Sequence, residues 1–347
     1  MLIEILKMID SGNRKKSEVA KNIAEKHGVT VQNVYQHLKK LEKPMQIFEC
    51  SKGYLHLLQK RLFAQNFKLK DITKEASEYD IWIKHILSLI KNDIELKDSM
   101  FHVFTEMLNN AIEHSEGDTI RIALFESAYG YLVSITDNGV GIFKKICRYK
   151  NLKDEQHAMF ELSKGRLTTM PEAHSGEGIF FSSKISDEFS IISHGLIFHH
   201  ELDVNSLSEL EGMARRSMYE GTKVVFKINK FTPKSVTAIF KQYTVIDEEG
   251  EYMFSKTIIK AKLIQYENEA LVSRSQAKRL LTRVNEFKEA VIDFAGIRLI
   301  GQGFADEVFR VFTTRYPDVK LTYVNAEPDV DFMIKRAVGT AKINKKS

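Results

Sequence analysis

Apolar residues recur at helical spacing in some stretches of the chain and at alternate positions in others, and the switches between the two periods divide it into elements. The opening pattern predicts three short helices, over 2–9, 16–27 and 31–42, and then a hairpin. Gly28 ends the second helix, Thr30 is a good N-cap for the third, and Pro44 stops it. Val34, Leu38 and Leu41 fall on one face of the third helix, while Gln32, Asn33, Gln36, Lys39 and Lys40 fall away from it. Segments 45–50 and 54–58 flank Ser-Lys-Gly, a hairpin signal. Within 61–97 lie a strand-like Phe67-Lys-Leu-Lys and a helical run through Ile81, Ile83, Ile86, Leu87 and Ile90, with Trp82 expected to serve packing.

The middle of the chain alternates both periods. Residues 99–115 read as an amphipathic helix through Phe101, Phe104, Leu108, Ala111 and Ile112. Residues 131–136, Tyr-Leu-Val-Ser-Ile-Thr, read as a strand ending in Asp137. Ser175-Gly176-Glu-Gly178-Ile-Phe-Phe opens another apolar, helical stretch, and Gly221-Thr222-Lys-Val-Val-Phe-Lys-Ile alternates like a half-buried strand. After Pro233 the pattern predicts strands over 255–266, 290–294 and 320–324, interleaved with helices over 275–284, 303–314 and 329–337. That alternation implies an α/β layer.

Composition narrows the class. A chain of 347 residues holds two or three domains. Hydrophobic content of 43% with 28% charged residues fits a soluble globular protein, not a disordered one. The sequence has no run of about 18 apolar residues, so no membrane partner is expected. The opening Met-Leu-Ile-Glu-Ile-Leu-Lys carries an acid within its apolar run and no cleavage pattern, so no signal peptide is expected. Cys50 and Cys147 lie far apart and build neither a metal nor a disulfide framework, so the expected location is cytoplasmic. The net charge is only +5, and residues 1–60 account for it, with 11 Lys plus Arg against 6 Asp plus Glu.

The chemistry concentrates in three strings. Glu106 and Asn110 are four apart and project from one helix face. A neutral amide oxygen suits a magnesium ion that keeps most of its waters, and a carboxylate one turn away can activate a water or a protein hydroxyl attacking a terminal phosphate. Asp137-Asn-Gly139-Val-Gly141 lets backbone approach a ligand closely; an Asn-Gly hairpin would explain Asn138 and Gly139 but not Gly141. Backbone amides at a helix start near Gly176 and Gly178 favour bound phosphate. In this order the strings describe a pocket for ATP and one divalent cation, Mg2+.

The middle of the chain, 61–232, resembles the GHKL, or Bergerat-fold, ATPases: gyrase B, MutL, the heat-shock chaperone ATPases, histidine kinases and anti-sigma-factor kinases. The resemblance implies that Glu106 is catalytic, that Asn110 holds the metal, and that Asp137 accepts a hydrogen bond from the adenine amino group. It implies that Gly139 and Gly141 make room for the base, that Ser175, Gly176 and Gly178 approach phosphate, and that Thr222 supports Asp137, often through water. Segment 142–175 takes the position of the family's ATP lid, with Lys164 as a phosphate contact. Histidine kinases usually carry Asn where Glu106 stands, and no helix here offers a His-Glu phosphoacceptor followed by Pro.

The flanks carry their own resemblances. The string His-Gly-Val-Thr-Val-Gln-Asn-Val-Tyr-Gln-His-Leu-Lys-Lys-Leu, within 1–60, is similar to the turn and recognition helix of a winged helix-turn-helix. Gln32, Asn33 and Gln36 are then candidates for base edges and Lys39 and Lys40 for phosphates of DNA; a helical protein-interaction module is the alternative. Segment 255–340 resembles a STAS-like domain through Ala-Val-Ile-Asp293-Phe-Ala-Gly-Ile-Arg-Leu-Ile-Gly301-Gln-Gly303-Phe-Ala-Asp306. Antagonists of that family usually carry a phosphorylatable Ser where Gly301-Gln302-Gly303 stands here. The implied fold is an α/β and α+β multidomain chain: winged helix, Bergerat-fold α/β sandwich, small STAS-like α/β domain. The implied function is an ATP-binding, ATP-hydrolysing, DNA-binding regulator in which nucleotide state controls the two flanking domains. A protein partner would act through the STAS-like domain, and a homodimer is the candidate assembly. A serine protein kinase of the anti-sigma-factor type and a non-catalytic ATP sensor are the alternatives.

Overall fold

The N-terminal helices form where the apolar spacing places them. In the computed structural model they span Leu2–Asp10, Lys16–His27 and Val31–Glu42. The structure describes residues 1–12, 15–42, 46–50, 53–75, 77–167, 176–200, 220–246, 252–265 and 270–344. Gly28 ends the second helix in left-handed backbone at φ +63°, a conformation that strains any residue with a β-carbon. Thr30 Oγ1 accepts the Asn33 N–H at 3.2 Å and so caps the third. Ile5, Ile9, Val19, Ile23, Val34 and Leu38 close a small core with Leu55. Leu55 lies in a hairpin of β1 (Ile47–Cys50) and β2 (Tyr54–Leu57). Met45 and the expected turn residues Ser51 and Lys52 lie outside the described residues.

Six strands then build one antiparallel sheet. They are β3 (Lys60–Lys68), β4 (Thr119–Glu126), β5 (Gly130–Asp137), β6 (Glu188–Ser193), β7 (Leu196–His200) and β8 (Lys223–Asn229), in the order β3-β4-β5-β8-β6-β7. The strand expected around Phe67 closes at Lys68, because Leu69 and Lys70 begin the helix Leu69–Glu75. The helical run after it is irregular: Glu78–Ile81 is α, Trp82–Ile86 is a π-turn and Leu87–Leu89 is 3-10. Trp82 packs its ring on Phe101 and Phe104, each 5.5 Å away between centroids.

The long helix Ile94–His114 begins five residues before the apolar pattern does. Asp93 caps it, accepting the Leu96 N–H at 3.0 Å, and its first turn buries only Leu96. Further along, Met100, Val103, Phe104, Met107, Leu108 and Ala111 are buried on one stripe, and the helix packs on β5 and β8. Burying one large apolar side chain of this kind contributes about 1.5–3 kcal/mol. That stripe fixes which face of the helix is left for Glu106 and Asn110.

Residues 1–148 and 181–236 make one compact unit. Two features fasten the N-terminal module within it. Tyr129, in the turn between β4 and β5, belongs to the N-terminal core. Lys227 of β8 lies on the opposite pleat from Phe226 and Ile228, where it is buried and pairs with Asp10 and, at 3.3 Å, with Glu188. Burial acts to depress that amine, yet the two carboxylates overcome it and hold the group above the ordinary lysine range. The Tyr129 hydroxyl is pushed up to about 12 by burial, with Asp187 and Asp10 adding to the shift.

Residues 149–180 and 237–347 make the second unit. Within it β9 (Thr244–Ile246) and β10 (Tyr252–Phe254) form a hairpin. Then β11 (Lys256–Lys260), β12 (Glu289–Asp293) and β13 (Lys320–Val324) lie parallel in that order. Parallel pairing demands helical crossovers. Arg274–Leu281 supplies one; Gln302–Asp306 continues as the π-turn Glu307–Phe312 and then Thr313–Arg315 to supply the next. Pro328–Asn344 closes the chain's described part, seven residues beyond the helix expected from its apolar pattern. Ile259, Leu280, Ile292, Phe294, Phe304, Val308 and Ile334 form the core. The strand expected over 255–266 stops at Lys260, because Ala261–Ile264 turns as a 3-10 helix; Tyr266 lies outside the described residues. Among the described residues no helix is long and apolar enough to cross a membrane. The mixed α/β architecture, with its multi-strand sheet, is consistent with a Bergerat-type domain.

Candidate active site

Asp137 is the last residue of β5, and the sheet itself orients it. Its N–H donates to the Thr222 carbonyl at 2.9 Å, continuing the ladder between β5 and β8. Its carboxylate is buried. Oδ1 accepts the Gly139 N–H at 2.9 Å and the Thr222 N–H at 3.1 Å. Among the described residues no side chain or backbone group donates to Oδ2. Burial raises the pKa of this carboxyl above the ordinary aspartate value, and the backbone N–H groups of Gly139, Thr222 and Asp137 itself oppose that shift. The result is a fixed acceptor in which Oδ1 takes two N–H groups and Oδ2 takes none from the described residues.

The turn after Asp137 is packed too closely for side chains. A β-carbon on Gly139 would fall 1.9 Å from the Ser115 carbonyl oxygen. Val140 donates its N–H to that same oxygen at 2.9 Å, so the loop leaving the long helix is stapled to the turn. Asn138 adds a second staple: Oδ1 accepts from Asp118 and Thr119 N–H, each at 3.0 Å, and Nδ2 donates to Asp118 at 2.6 Å. Lys145 closes a third from its Nζ to the His114 carbonyl at 2.8 Å. Gly141 follows at φ +83° beside Ser193 and His194 in the β6–β7 turn. Thr222 is buried; its backbone holds Asp137 directly, and its Oγ1 accepts the Ile142 N–H at 2.9 Å.

Glu106 and Asn110 stand on the helix Ile94–His114, both half-buried. Asn110 lies about 7.5 Å along the axis from Ser115, and Glu106 about 6 Å further, at 1.5 Å of rise per residue. Ser115 is the residue that meets Gly139, so the helix carrying the carboxylate and the amide is keyed to the turn carrying Asp137.

Residues 95–231 match the family model described as histidine kinase-, DNA gyrase B-, and HSP90-like ATPase. They form a GHKL-type ATPase domain. Residues 276–331 match a STAS-like domain of unknown function (DUF4325). A comparison with curated proteins returned no match.

Of the remaining candidates of the GHKL domain, Lys164, Gly176 and Gly178 belong to the second unit. Ser175 lies outside the described residues. Gly176 belongs to the second unit at φ +71°, where a β-carbon would fall 2.6 Å from the backbone of Leu167, which donates its N–H to the Gly176 carbonyl at 3.2 Å. Gly178 opens the helix Gly178–Ile185. Lys164 is not placed as a solvent-facing phosphate contact. It is fully buried in the second unit, and Nζ donates to Glu161 Oε1 at 2.7 Å, to the Thr282 carbonyl at 2.7 Å and to the Arg279 carbonyl at 3.4 Å, over the ring of Phe160. Burial pushes the amine down to about 8, against the pull of Glu161.

That shift has a measurable sign. Between about pH 8 and the ordinary 10.5, the unfolded chain keeps a proton on this lysine that the folded protein releases, so stability rises with pH. Wild type is expected to gain about 3 kcal/mol over Lys164→Met across that window, at 1.36 kcal/mol per unit. Denaturant titrations of both proteins at several pH values check this, and a difference that stays flat would contradict it.

On the N-terminal module, Gln32, Asn33, Gln36, Lys39 and Lys40 are all exposed on the helix Val31–Glu42, and Val34, Leu38 and Leu41 are buried. Tyr35, 37% exposed, shares the open surface and was not singled out by the polar pattern. Asn138, Lys145 and Ser193 are further residues that support the turn. Of these only Asn138 carries a sequence signal, as part of the Asn-Gly pair.

Proposed function

We propose that the chain is an ATP-hydrolysing, magnesium-dependent regulator that binds DNA through a winged-helix N-terminal module, and that its nucleotide state controls this module and the STAS-like domain. The observation that carries the reading is the buried Asp137 carboxylate, with Oδ1 saturated by two N–H groups and Oδ2 facing no donor among the described residues. Such an acceptor suits the adenine amino group, and the side-chain-free turn at Gly139 and Gly141 suits the ring beside it. Asn110 would hold the metal through a neutral amide oxygen, a donor set that fits magnesium with its waters and phosphates. Bound magnesium would compensate the charge of the triphosphate. Glu106 would orient the attacking water and take its proton.

The fused STAS-like domain supports a second reading, a serine protein kinase acting on a partner. Its own helix Gln302–Asp306 starts from Gly301 and offers no hydroxyl at the family's acceptor position. Incubation with terminally labelled ATP, with and without DNA and candidate partners, separates the cases. Released phosphate supports the ATPase, phosphoprotein supports the kinase, and ATP-dependent stabilisation with neither supports a sensor.

DNA binding is expected to be salt-sensitive. Lys39→Ala or Lys40→Ala should flatten the salt slope by about one unit per lost phosphate contact. Gln32→Ala or Gln36→Ala should change sequence preference, by about 1–3 kcal/mol for a lost base contact. Titrations of the full chain with genomic fragments at several salt concentrations measure both. Failure to bind any fragment at low salt would favour a protein-interaction module.

A further inference from the structure

The six-stranded sheet has an apolar face and a polar one. On the first, Ile122, Ile135, Val224 and Ile191 follow one another across β4, β5, β8 and β6, all buried. One residue along each strand the side chains point the other way. There the row reads Asn66, Arg121, Thr136 and Lys223, across β3, β4, β5 and β8. Thr136 is buried, Lys223 is half-buried, and Asn66 and Arg121 are exposed. The next row on this face, Ala64, Ala123, Ser134 and Val225, is short and uncharged, so neither row holds a carboxylate. Asp118, the acid nearest Arg121 in the chain, is taken up by the Thr119 hydroxyl at 2.7 Å and Asn138 Nδ2 at 2.6 Å.

Two lysines of β8 make the point. Lys223 and Lys227 are four positions apart, so they share this face at a separation of about 14 Å. Burial acts to depress both amines. At Lys227 the carboxylates of Asp10 and Glu188 overcome it. At Lys223 nothing does: among the described residues it has no hydrogen bond or ion pair, and burial alone lowers its pKa. Arg121 likewise has none. An ammonium held partly out of water without a counter-charge opposes folding, and an anion from outside the chain relieves that. The row is also longer than one small anion. At about 4.8 Å between strands, Arg121 and Lys223 stand about 9.6 Å apart at their backbones, with the Thr136 hydroxyl between them, and Asn66 extends the row to about 14 Å. Successive phosphates of a nucleic-acid strand fit such a line, and Arg, Lys, Thr and Asn are all side chains that bind them.

We propose that Asn66, Arg121, Thr136 and Lys223 form a second phosphate-binding surface, which holds the backbone of a duplex engaged by the N-terminal module. The proposal rests on the reading that this chain binds DNA. The helix Leu2–Asp10 meets the same face at Lys227, about 14 Å from Lys223 along β8, which is less than one helical turn of duplex, about 34 Å. The row offers charge, hydroxyl and amide to phosphates, so it adds affinity without sequence preference.

Titrations of the full chain with a panel of duplex fragments at several salt concentrations decide it. Arg121→Ala and Lys223→Met are each expected to flatten the slope of log K against log salt by about one unit and to leave the ranking of fragments unchanged. If wild type binds duplex and the slope is unchanged in either variant, this proposal fails while the DNA reading stands; if wild type binds no fragment at low salt, both fail. Unfolding without DNA gives a separate readout. Lys223→Met removes an ammonium that has no partner, so its unfolding midpoint is expected at or above that of wild type. A lower midpoint would show that the ammonium already has its counter-charge within the fold, and would overturn the proposal. Poly-glutamate serves as the competing polyanion. If it displaced duplex as well as unlabelled DNA of equal charge does, and lost that ability in both variants, the row would be a seat for an acidic protein segment and the proposal would be overturned.

Discussion

Asp137→Ala is expected to erase the stabilisation that ATP with magnesium gives the protein. At 100 times its dissociation constant a ligand adds about 2.7 kcal/mol, and the variant should retain almost none of it. The adenine amino group would lose the oxygen that faces no donor among the described residues, inside a site where an unmet donor costs about 1–3 kcal/mol. The same truncation strands the Gly139 and Thr222 N–H groups, which Oδ1 now satisfies at 2.9 and 3.1 Å. The unliganded variant should therefore also be less stable than wild type. The ATP-induced increment in thermal or denaturant unfolding is thus the quantity to compare, not the midpoint itself. An increment equal to that of wild type would remove Asp137 from the base pocket. Asp137→Asn is a sharper control, since an amide that turns its NH2 toward the adenine amino group sets donor against donor.

Glu106→Ala and Asn110→Ala should part company. Glu106→Ala is expected to keep ATP affinity and to lose turnover by about 10²- to 10⁴-fold, the range of a general base. Asn110→Ala is expected to lose both, because without the metal the triphosphate is poorly held and its charge poorly compensated. Calorimetry for affinity and phosphate release for turnover, in the same preparations, read the two effects separately. The contrast holds whether the acceptor is water or a partner's hydroxyl. Undiminished hydrolysis in Glu106→Ala would take that residue out of the mechanism. Absence of turnover in wild type, with or without DNA and partners, would favour a sensor.

The GHKL domain is legible in the sequence because its boxes tie residue type to local backbone. Asp137 closes a strand whose alternation is visible, and Gly139 and Gly141 mark backbone that must pass close to something. Gly28 and Thr30 mark helix ends for equally local reasons. The destination of Lys164 is not local. Its bonds run to carbonyls 115 and 118 positions away, and a backbone carbonyl leaves no trace in residue identity. Nothing in the sequence around Phe160 says which core it enters. Lys227 misleads in the opposite way. In Lys-Val-Val-Phe-Lys-Ile it reads as the wet face of a half-buried strand, whereas that face is covered and the lysine answers Asp10, which is 217 positions earlier. Alternation reports that two faces differ, but not that the polar one is open to water.

The strand β5 has Asp137 at one end and, just before its other end, Tyr129 inside the N-terminal core. Eight residues at about 3.4 Å each make a rod of roughly 27 Å joining the two. With Lys227 paired to both Asp10 and Glu188, the end of the helix Leu2–Asp10 is tied to the sheet. Moving the helix Leu2–Asp10 relative to Asp137 would mean separating Asp10 from the buried Lys227. On the reading proposed above, in which this module binds DNA, a nucleotide signal would be carried by the spacing of whole chains along a duplex and not by swivelling of the module on its sheet.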